Sequence, residues 1–249
     1  QRVITAMGGL MMARHGSYAE YLVAPVSHVL AMATHDMAWA ELASLPMAYL
    51  TVWGALDKNL HIEAGQLLLI RGATSSVGLA ALSYAKARGL TVIATTRSAN
   101  KVDRLKTFGA DHILIDHGEI SEQVRLLAPE GVDKALEVVG AATLKDTLKT
   151  LRRWGEVAVI GLLGGPPMIE NFHLMADLPN TVKLSFFSSS LLGSAQMPLD
   201  ESPLNWIVEQ VSAGEMPSIL SQQFNFSDIQ QAHAYMENNE ANGKLVVTL

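Results

Sequence analysis

From Met47 onward the sequence alternates short apolar segments with amphipathic ones, and this rhythm is the feature that most limits the possible fold. The apolar segments have the length of buried strands, and the segments between them have the spacing of amphipathic helices. A helical crossover after each strand produces a parallel sheet with helices on both faces. The sequence therefore predicts a doubly wound α/β domain of the Rossmann type over residues 47–190.

The two ends of the chain have a different character. Residues 1–46 are short alternating pieces separated by glycine and proline, and Ser17–Pro25, "SYAEYLVAP", has the period-two alternation and aromatic content of a strand in an antiparallel unit. Residues 191–249 predict a helix, a short strand, a second helix and a closing strand, "GKLVVTL". We expect the two ends to combine into a second, β-rich domain.

Charge and composition exclude several classes of partner. The net charge of -6 is spread along the chain without a run of Lys or Arg, which argues against nucleic acid and against an anionic membrane surface. The most apolar run, "VAVIGLLGGPPMI", is broken by glycine and proline well before the roughly 20 residues that cross a bilayer. The sequence has no cysteine, which excludes disulfides and thiolate metal sites and fits a cytoplasmic location.

A turn with few glycines follows the first strand of the α/β domain. In the segment Leu67–Gly89, "LLLIRGATSSVGLAALSYAKARG", we take Gly78 as the last glycine of a GxGxxG pattern. Ala73 and Ser75 then occupy the first two glycine positions, and Gly72 lies one residue outside the frame. Such a turn places backbone N–H groups and a helix N-terminus against a pyrophosphate, although an empty strand-to-helix turn is the alternative. The predicted phosphate-binding residues are Thr74, Ser75, Ser76 and Val77, and the hydroxyls of the first three can donate to phosphate oxygens.

The end of the next strand, "ATTRSANK", indicates which dinucleotide this loop would accept. An NAD site places an acidic residue there to bind the ribose hydroxyls, whereas an NADP site places a basic residue to bind the 2′-phosphate. Here Thr96 is followed by Arg97 and then by Lys101, with no acid between them. The pattern favours NADPH, and the alternative is that both charges are ordinary solvated surface charges.

The motifs together resemble the medium-chain dehydrogenase/reductase superfamily, and within it the zinc-independent quinone oxidoreductase-like branch. The resemblance covers nearly the whole chain through "RVITAMGG", "HGSYAEYLVAP", "LPMAYLTVWGAL", the glycine loop with its downstream strand, "FGAD", "ALEVVG", "GEVAVIG" and "GKLVVTL". It implies a bilobed oxidoreductase in which a β-rich, GroES-like substrate domain, built from both chain ends, accompanies a Rossmann domain that binds NADP(H). It also leads us to expect that the first part of the substrate domain is missing from this chain, so that catalytic residues in that part are not assigned.

Further cofactor-binding residues are expected from the same alignment of motifs. Thr51 matches a threonine that contacts the cofactor near the nicotinamide. Val139 lies at the end of "ALEVVG", and Gly161 and Leu163 belong to the turn "GLLGG" after the fifth strand, where ligands of doubly wound sheets bind. A plain turn is the alternative for this glycine-rich segment. Glu137 is expected to be paired near the cleft without acting as a general base.

The resemblance also bears on metal. The alcohol dehydrogenases of the superfamily bind a catalytic zinc through Cys and His, and one Cys lies four residues before the threonine that Thr51 matches. Met47 occupies that position here, and a thioether is a poor zinc ligand. We therefore expect no metal and a hydride acceptor that needs none, such as a quinone or a conjugated carbonyl. The eight histidines show no metal-ligand spacing and are expected to be structural or solvated: His15, His28, His35, His61, His112, His117, His173 and His233.

Two function classes follow from these features. One is an NADPH-dependent reductase of quinones or conjugated carbonyls, and the other is a non-catalytic NADPH-binding protein of a crystallin-like or sensor type. An enoyl-thioester reductase is a further alternative. The strand "TVKLSFFSSS" is predicted to be the last of the sheet, and an exposed apolar edge near Phe186 favours a homodimer, which the resemblance also implies.

Overall fold

The computed structural model describes residues 1–32 and 36–249. His35, one of the histidines considered above, lies outside the described residues. The described strands are β1 (Val3–Thr5), β2 (Val29–Ala31), β3 (Leu67–Arg71), β4 (Thr91–Thr96), β5 (His112–Ile115), β6 (Val132–Glu137), β7 (Leu151–Val159), β8 (Lys183–Phe186), β9 (Leu220–Asn225) and β10 (Lys244–Thr248). The described α-helices are α1 (Trp39–Ser44), α2 (Pro46–Trp53), α3 (Ser76–Ala87), α4 (Val102–Thr107), α5 (Ser121–Leu127), α6 (Ala141–Thr150), α7 (Leu174–Asp177), α8 (Leu204–Ser212) and α9 (Ile229–Glu237).

The chain divides into two compact units. The terminal unit consists of Gln1–Gly54 with Ser188–Leu249, and the α/β unit is Ala55–Phe187. These limits differ from the predicted ones at 46/47 and 190/191. The first limit lies further along the chain because α2 packs against α1 and α8 and so belongs with the chain ends.

The α/β unit contains a six-stranded parallel sheet with the strand order β5-β4-β3-β6-β7-β8. This is the order of a doubly wound dinucleotide-binding fold, and it confirms the predicted fold class. The chain winds outward in one direction from β3 and in the other from β6. Ligands of such sheets bind outside the carboxyl ends of the strands at this switch point, which directs attention to the residues that follow β3, β4, β6 and β7.

The central strand β3 is apolar because it is buried on both faces of the sheet. Leu68, Leu69 and Ile70 of β3 are completely buried, as expected for a strand covered by helices on both faces. On one side, Leu69 packs in a cluster with Leu148 of α6 and Val157 of β7. Each such side chain contributes roughly 1.5–3 kcal/mol by leaving water. The sheet core therefore fixes the strand ends on which the candidate site is built.

The terminal unit confirms that the C-terminal segment returns to the N-terminal region, but its strand content is lower than predicted. Within the described residues it has the antiparallel pair β1–β2 and the parallel pair β9–β10. The predicted strand at Ser17–Pro25 is wrong, and Tyr21 and Val23 are 89% and 91% exposed there. Alternation gives a strand only where a neighbour supplies ladder hydrogen bonds, and no described strand pairs with this segment.

Two further observations concern surfaces. β8 is the last strand of the sheet, as predicted, and its Leu184 and Phe186 side chains are exposed. None of the helices in the described part of the chain combines the length and the apolar character needed to cross a bilayer.

Candidate cofactor site

The turn between β3 and α3 depends on two glycines. Gly72 has a φ of +86°, a backbone conformation that side-chain-bearing residues rarely adopt. A Cβ atom at Gly78 would lie 2.5 Å from the Gly72 carbonyl oxygen, so only glycine lets the helix approach the strand this closely. The glycine that makes the turn is therefore Gly72, which the GxGxxG frame excluded, whereas Gly78 has the packing role predicted for it.

Ser75 is the N-cap residue of α3. Its hydroxyl oxygen accepts the N–H of Gly78 at 3.0 Å, and its proton is donated to the Gly72 carbonyl at 3.0 Å. Because a serine has a single hydroxyl proton, this side chain shapes the turn and has none to give to a phosphate oxygen. That is a correction to the donor role expected from the sequence.

Three residues of the turn keep unused donors. The backbone N–H groups of Thr74, Ser76 and Val77 have no acceptor among the described residues, and the Thr74 and Ser76 hydroxyls have no hydrogen-bond partner there. All three residues are half-buried. Unpaired N–H groups at the positive end of a helix dipole form an anion-binding site, which fits a pyrophosphate.

The end of β4 is joined directly to this turn. The N–H of Gly72 donates to the Thr95 hydroxyl at 3.1 Å, and the N–H of Ala73 donates to the Thr95 carbonyl at 3.2 Å. Thr96 is buried, and its hydroxyl closes a local turn by accepting the N–H of Ser98 at 3.1 Å. The phosphate loop and the residues that follow β4 therefore form one connected edge.

Arg97 and Lys101 lie on that edge. Arg97 is exposed and Lys101 is half-buried, and neither side chain has an ion pair or a hydrogen bond within residues 1–32 and 36–249. The acids that balance other cations of this unit lie elsewhere, for example Asp111 with Lys86 at 2.7 Å. The two predicted 2′-phosphate ligands are thus cations that remain available to an external anion.

The ends of β6 and β7 supply the next part of the edge. The N–H of Gly164 donates to the Val139 carbonyl at 2.8 Å, so the glycine-rich turn is attached to the residues after β6. A Cβ at Gly161 would collide with the Val138 carbonyl oxygen. Val139 is half-buried and Leu163 is exposed. The structure thus places Val139, Gly161 and Leu163 at the switch-point edge, as the resemblance implies.

Thr51 belongs to the terminal unit and lies on α2. It is nearly buried, and its hydroxyl donates to the Met47 carbonyl at 2.8 Å. The Met47 sulfur lies 3.0 Å from the ammonium nitrogen of Lys244. Burial lowers the pKa of Lys244 below its ordinary value. The Met47 sulfur therefore already has the Lys244 side chain as a hydrogen-bond partner.

A buried ionic network below the phosphate loop was missed in the sequence. Arg71, the last residue of β3, binds both carboxylate oxygens of Asp116 at 2.8 and 3.0 Å and one oxygen of Asp146 at 2.9 Å. It also donates to the carbonyls of Thr143 and Gly118. The available signal was the charge that ends the apolar strand "LLLIR", because a charge buried in a covered sheet must be paired.

The acids of this network respond differently to their surroundings. Burial alone would raise the pKa of Asp116, but hydrogen bonds from Arg71 and from the Gly118 N–H, together with the guanidinium charge, hold it below its ordinary value. Glu137 is completely buried and accepts the N–H groups of Val139 and Gly140 and the Thr147 hydroxyl. Its burial outweighs these contacts and raises its pKa. As expected, Glu137 is paired.

The described residues contain no group of three His, Cys, Asp or Glu side chains that could hold a metal ion. Several histidines have structural partners. His28 lies 2.9 Å from the Gly193 carbonyl oxygen and 3.1 Å from Arg14, and His233 lies 2.8 Å from the Tyr18 hydroxyl.

The sequence is similar to a known protein family and to several characterised proteins. The family model for zinc-binding dehydrogenases matches residues 76–199. A zinc-type alcohol dehydrogenase-like protein of Schizosaccharomyces pombe is 26% identical over 252 residues, which cover 98% of this chain and 69% of that protein. The quinone oxidoreductase of Pongo abelii is 25% identical over 238 residues, which cover 94% of this chain and 70% of that protein.

Several solved structures also superpose on this chain. The crystal structure of AibC superposes with a TM-score of 0.81 at 28% identity and covers 94% of this chain, which spans 62% of AibC. A mycobacterial protein solved in complex with NADPH superposes with a TM-score of 0.80 at 25% identity, over 94% of this chain and 72% of that protein. With the strand order and the carboxyl-edge turns described above, these matches show that the chain belongs to the medium-chain dehydrogenase/reductase superfamily of oxidoreductases and is quinone oxidoreductase-like.

Proposed function

We propose that this protein is an NADPH-dependent oxidoreductase that transfers a hydride to a quinone or another conjugated carbonyl without a metal. The observation that carries the proposal is the edge at which the unused N–H groups of the phosphate loop lie beside the strand end bearing Arg97. The relative from Pongo abelii is a quinone oxidoreductase, and the mycobacterial relative was solved with NADPH. Both facts support the proposal.

The residues present fit a 2′-phosphorylated dinucleotide. The N–H groups of Thr74, Ser76 and Val77 would bind the pyrophosphate, and Arg97 with Lys101 would bind the 2′-phosphate, where a guanidinium can form two parallel hydrogen bonds. When bound, NADPH supplies the hydride, and the protein binds and orients it. The other proposed cofactor-binding residues are Thr51, Val139, Gly161 and Leu163. Ser75 and Thr96 shape the turns that carry the binding groups.

Metal independence is proposed from the donor set at Met47. A thioether is a weak ligand for zinc, and the sulfur already has the ammonium of Lys244 at 3.0 Å. Zinc would have to displace this contact before it could bind the sulfur. Quinones and conjugated carbonyls suit such a protein, because conjugation lets their oxygen take up the negative charge that follows hydride addition.

We also propose that the protein is a cytoplasmic homodimer. The sequence without cysteine fits a reducing compartment. The outer edge of β8, with the exposed Leu184 and Phe186, provides a surface on which a second copy can pair about a twofold axis.

A binding and turnover experiment tests the proposed function. NADPH and NADH are titrated by fluorescence, and NADPH oxidation is then followed by absorbance with small quinones, enones and an enoyl thioester. We expect preferential NADPH binding and oxidation with quinones or enones. Binding without any oxidation would favour the non-catalytic alternative, and oxidation only with the thioester would favour the enoyl-thioester reductase. Absence of NADPH binding would refute the proposal.

A further inference from the structure

Arg71 connects three elements of the carboxyl edge through one side chain. It is the last residue of β3, directly before Gly72, and it is completely buried. Its contacts go to Asp116, which follows β5, and to Asp146 on α6. The desolvation cost of a buried ionic network offsets much of its Coulomb energy, so that the main effect of such a network can be to fix geometry.

What the network fixes is the segment 116–121. Asp116 accepts the N–H of Gly118 at 2.8 Å, and the Gly118 carbonyl accepts a hydrogen bond from Arg71 at 2.7 Å. At the other end of the segment, Asp146 accepts the N–H groups of Ile120 and Ser121 at 2.8 and 3.3 Å. Both ends of the segment are therefore held, directly or through Asp146, by the guanidinium of Arg71.

The segment 116–121 lies beside the proposed 2′-phosphate site. The N–H of Asp116 donates to the Thr96 carbonyl at 2.8 Å, and Thr96 directly precedes Arg97. Between the buried Asp116 and Ile120, the residues 117–119 are exposed. The exposed part of the segment is thus attached to the backbone beside Arg97, at the edge where the cofactor is proposed to bind.

The positive charge of Arg71 also balances the two buried carboxylates. Asp116 and Asp146 are both nearly buried, and the guanidinium is the cation that both contact. Removal of this cation would leave two buried carboxylates next to a loop proposed to bind an anion, and they would repel that anion across a medium of low dielectric constant.

We infer that Arg71 is a positioning residue for the adenosine half of the dinucleotide, acting through the segment 116–121 without touching the cofactor. The inference rests on the proposed function and names a determinant of it that lies outside the phosphate loop. Because the nicotinamide half is not expected to contact this segment, loss of Arg71 should weaken the two halves of the cofactor unequally.

The experiment measures the two halves separately. Calorimetric titrations with 2′,5′-ADP and with reduced nicotinamide mononucleotide are performed on the unmodified protein, on Arg71→Met and on the control Lys134→Met. Lys134 is also a buried cation of the sheet, paired with Glu156 at 3.4 Å, but it lies near the start of β6 and away from the carboxyl edge. Thermal unfolding of each variant reports whether it is folded.

We expect Arg71→Met to lose about tenfold to a hundredfold in 2′,5′-ADP affinity, since small displacements of a binding wall have effects of this size. Its affinity for the mononucleotide should not change, and with NADPH as substrate KM should rise while kcat stays constant. Lys134→Met should bind both ligands normally. If Arg71→Met is unfolded, Arg71→Lys, which keeps the positive charge but lacks the planar fork that binds Asp116 through two nitrogens, should show the same selective loss.

Unchanged 2′,5′-ADP affinity in a folded Arg71 variant overturns the inference, and so does an equal loss for both ligands. Failure of the proposed function has a different signature, because in that case the unmodified protein would bind neither NADPH nor 2′,5′-ADP.

Discussion

The hydroxyl oxygen of Ser75 lies 3.0 Å from the amide nitrogen of Gly78 and accepts its N–H, so that a serine in the phosphate loop caps the helix that follows. Ser75→Asp should retain a cap but place a negative charge against the pyrophosphate. We expect this variant to unfold at the temperature of the unmodified protein and to bind neither NADPH nor NADH. The control, Ser75→Ala, should lose about 1 kcal/mol of stability and keep binding. NADPH binding by a folded Ser75→Asp variant would contradict the placement of the pyrophosphate.

Cofactor selectivity should depend on Arg97 and Lys101. Each charge-assisted contact to a 2′-phosphate is worth roughly 1.5–3 kcal/mol, so Arg97→Ala should lose about tenfold to a hundredfold in NADPH affinity, with a smaller loss for Lys101→Ala. NADH affinity should stay nearly constant. Lys106→Ala, which removes a surface lysine paired with Asp103, is the control. Equal affinities of the unmodified protein for NADH and NADPH would show that both cations are only solvated surface charges.

The proposed dimer can be tested at one backbone position. The N–H of Phe187 donates to the Val159 carbonyl, inside the sheet, and the N–H of Phe186 therefore points to the free edge because donors alternate along a strand. Phe186→Pro should weaken the dimer without breaking the β7–β8 ladder. Light scattering at micromolar concentration should show a dimer for the unmodified protein and a monomer for the variant. A monomeric unmodified protein would rule out this pairing.

Acid should remove the contribution of Asp116 to stability. The pKa of Asp116 is held below its ordinary value of 3.8, so its contribution is present above that pH and is lost as the pH falls through the depressed value. The difference in unfolding free energy between the unmodified protein and Asp116→Asn should thus be constant near neutral pH and narrow below 3.8. Denaturant titrations across the acid range measure it. The control for removal of a surface carboxylate is Asp103→Asn, at an exposed aspartate. A difference in unfolding free energy that increased as the pH fell would contradict the lowered pKa of Asp116.

Metal independence is a further prediction. Met47 presents a thioether that already contacts the Lys244 ammonium, so a chelator should leave NADPH oxidation unchanged and elemental analysis should find no stoichiometric zinc. Met47→Ala should behave in the same way. Stoichiometric zinc, together with loss of activity on chelation, would be the contrary result.

Periodicity was sufficient to predict the α/β unit because its strands are buried on both faces and its helices have one apolar face. It failed at Ser17–Pro25, where alternation was present but a pairing strand was not among the described residues. Local patterns cannot reveal whether a distant segment supplies the ladder. The fold class was therefore predictable, whereas the strand content of the terminal unit was not.

The candidate site also has features that could be predicted from the sequence and features that could not. The unused donors of Thr74, Ser76 and Val77 and the unpaired Arg97 follow from position after a strand, which the sequence gives. The internal hydrogen bonds of Ser75 and the pairing of Arg71 with Asp116 depend on side-chain directions and on contacts between residues far apart in the chain. Such contacts are fixed only when the sheet and its helices have packed.

The division of the chain has a consequence for the order of events during synthesis. The α/β unit is a single continuous stretch, whereas the terminal unit needs residues from both ends, with Ala55–Phe187 between them. On the ribosome, the continuous stretch can fold once it has emerged, whereas β9 and β10 are synthesised after it and can pair only then. Residues 1–54 therefore remain without their partners from 188–249 while Ala55–Phe187 is synthesised, and in that interval their apolar side chains are open to chaperones.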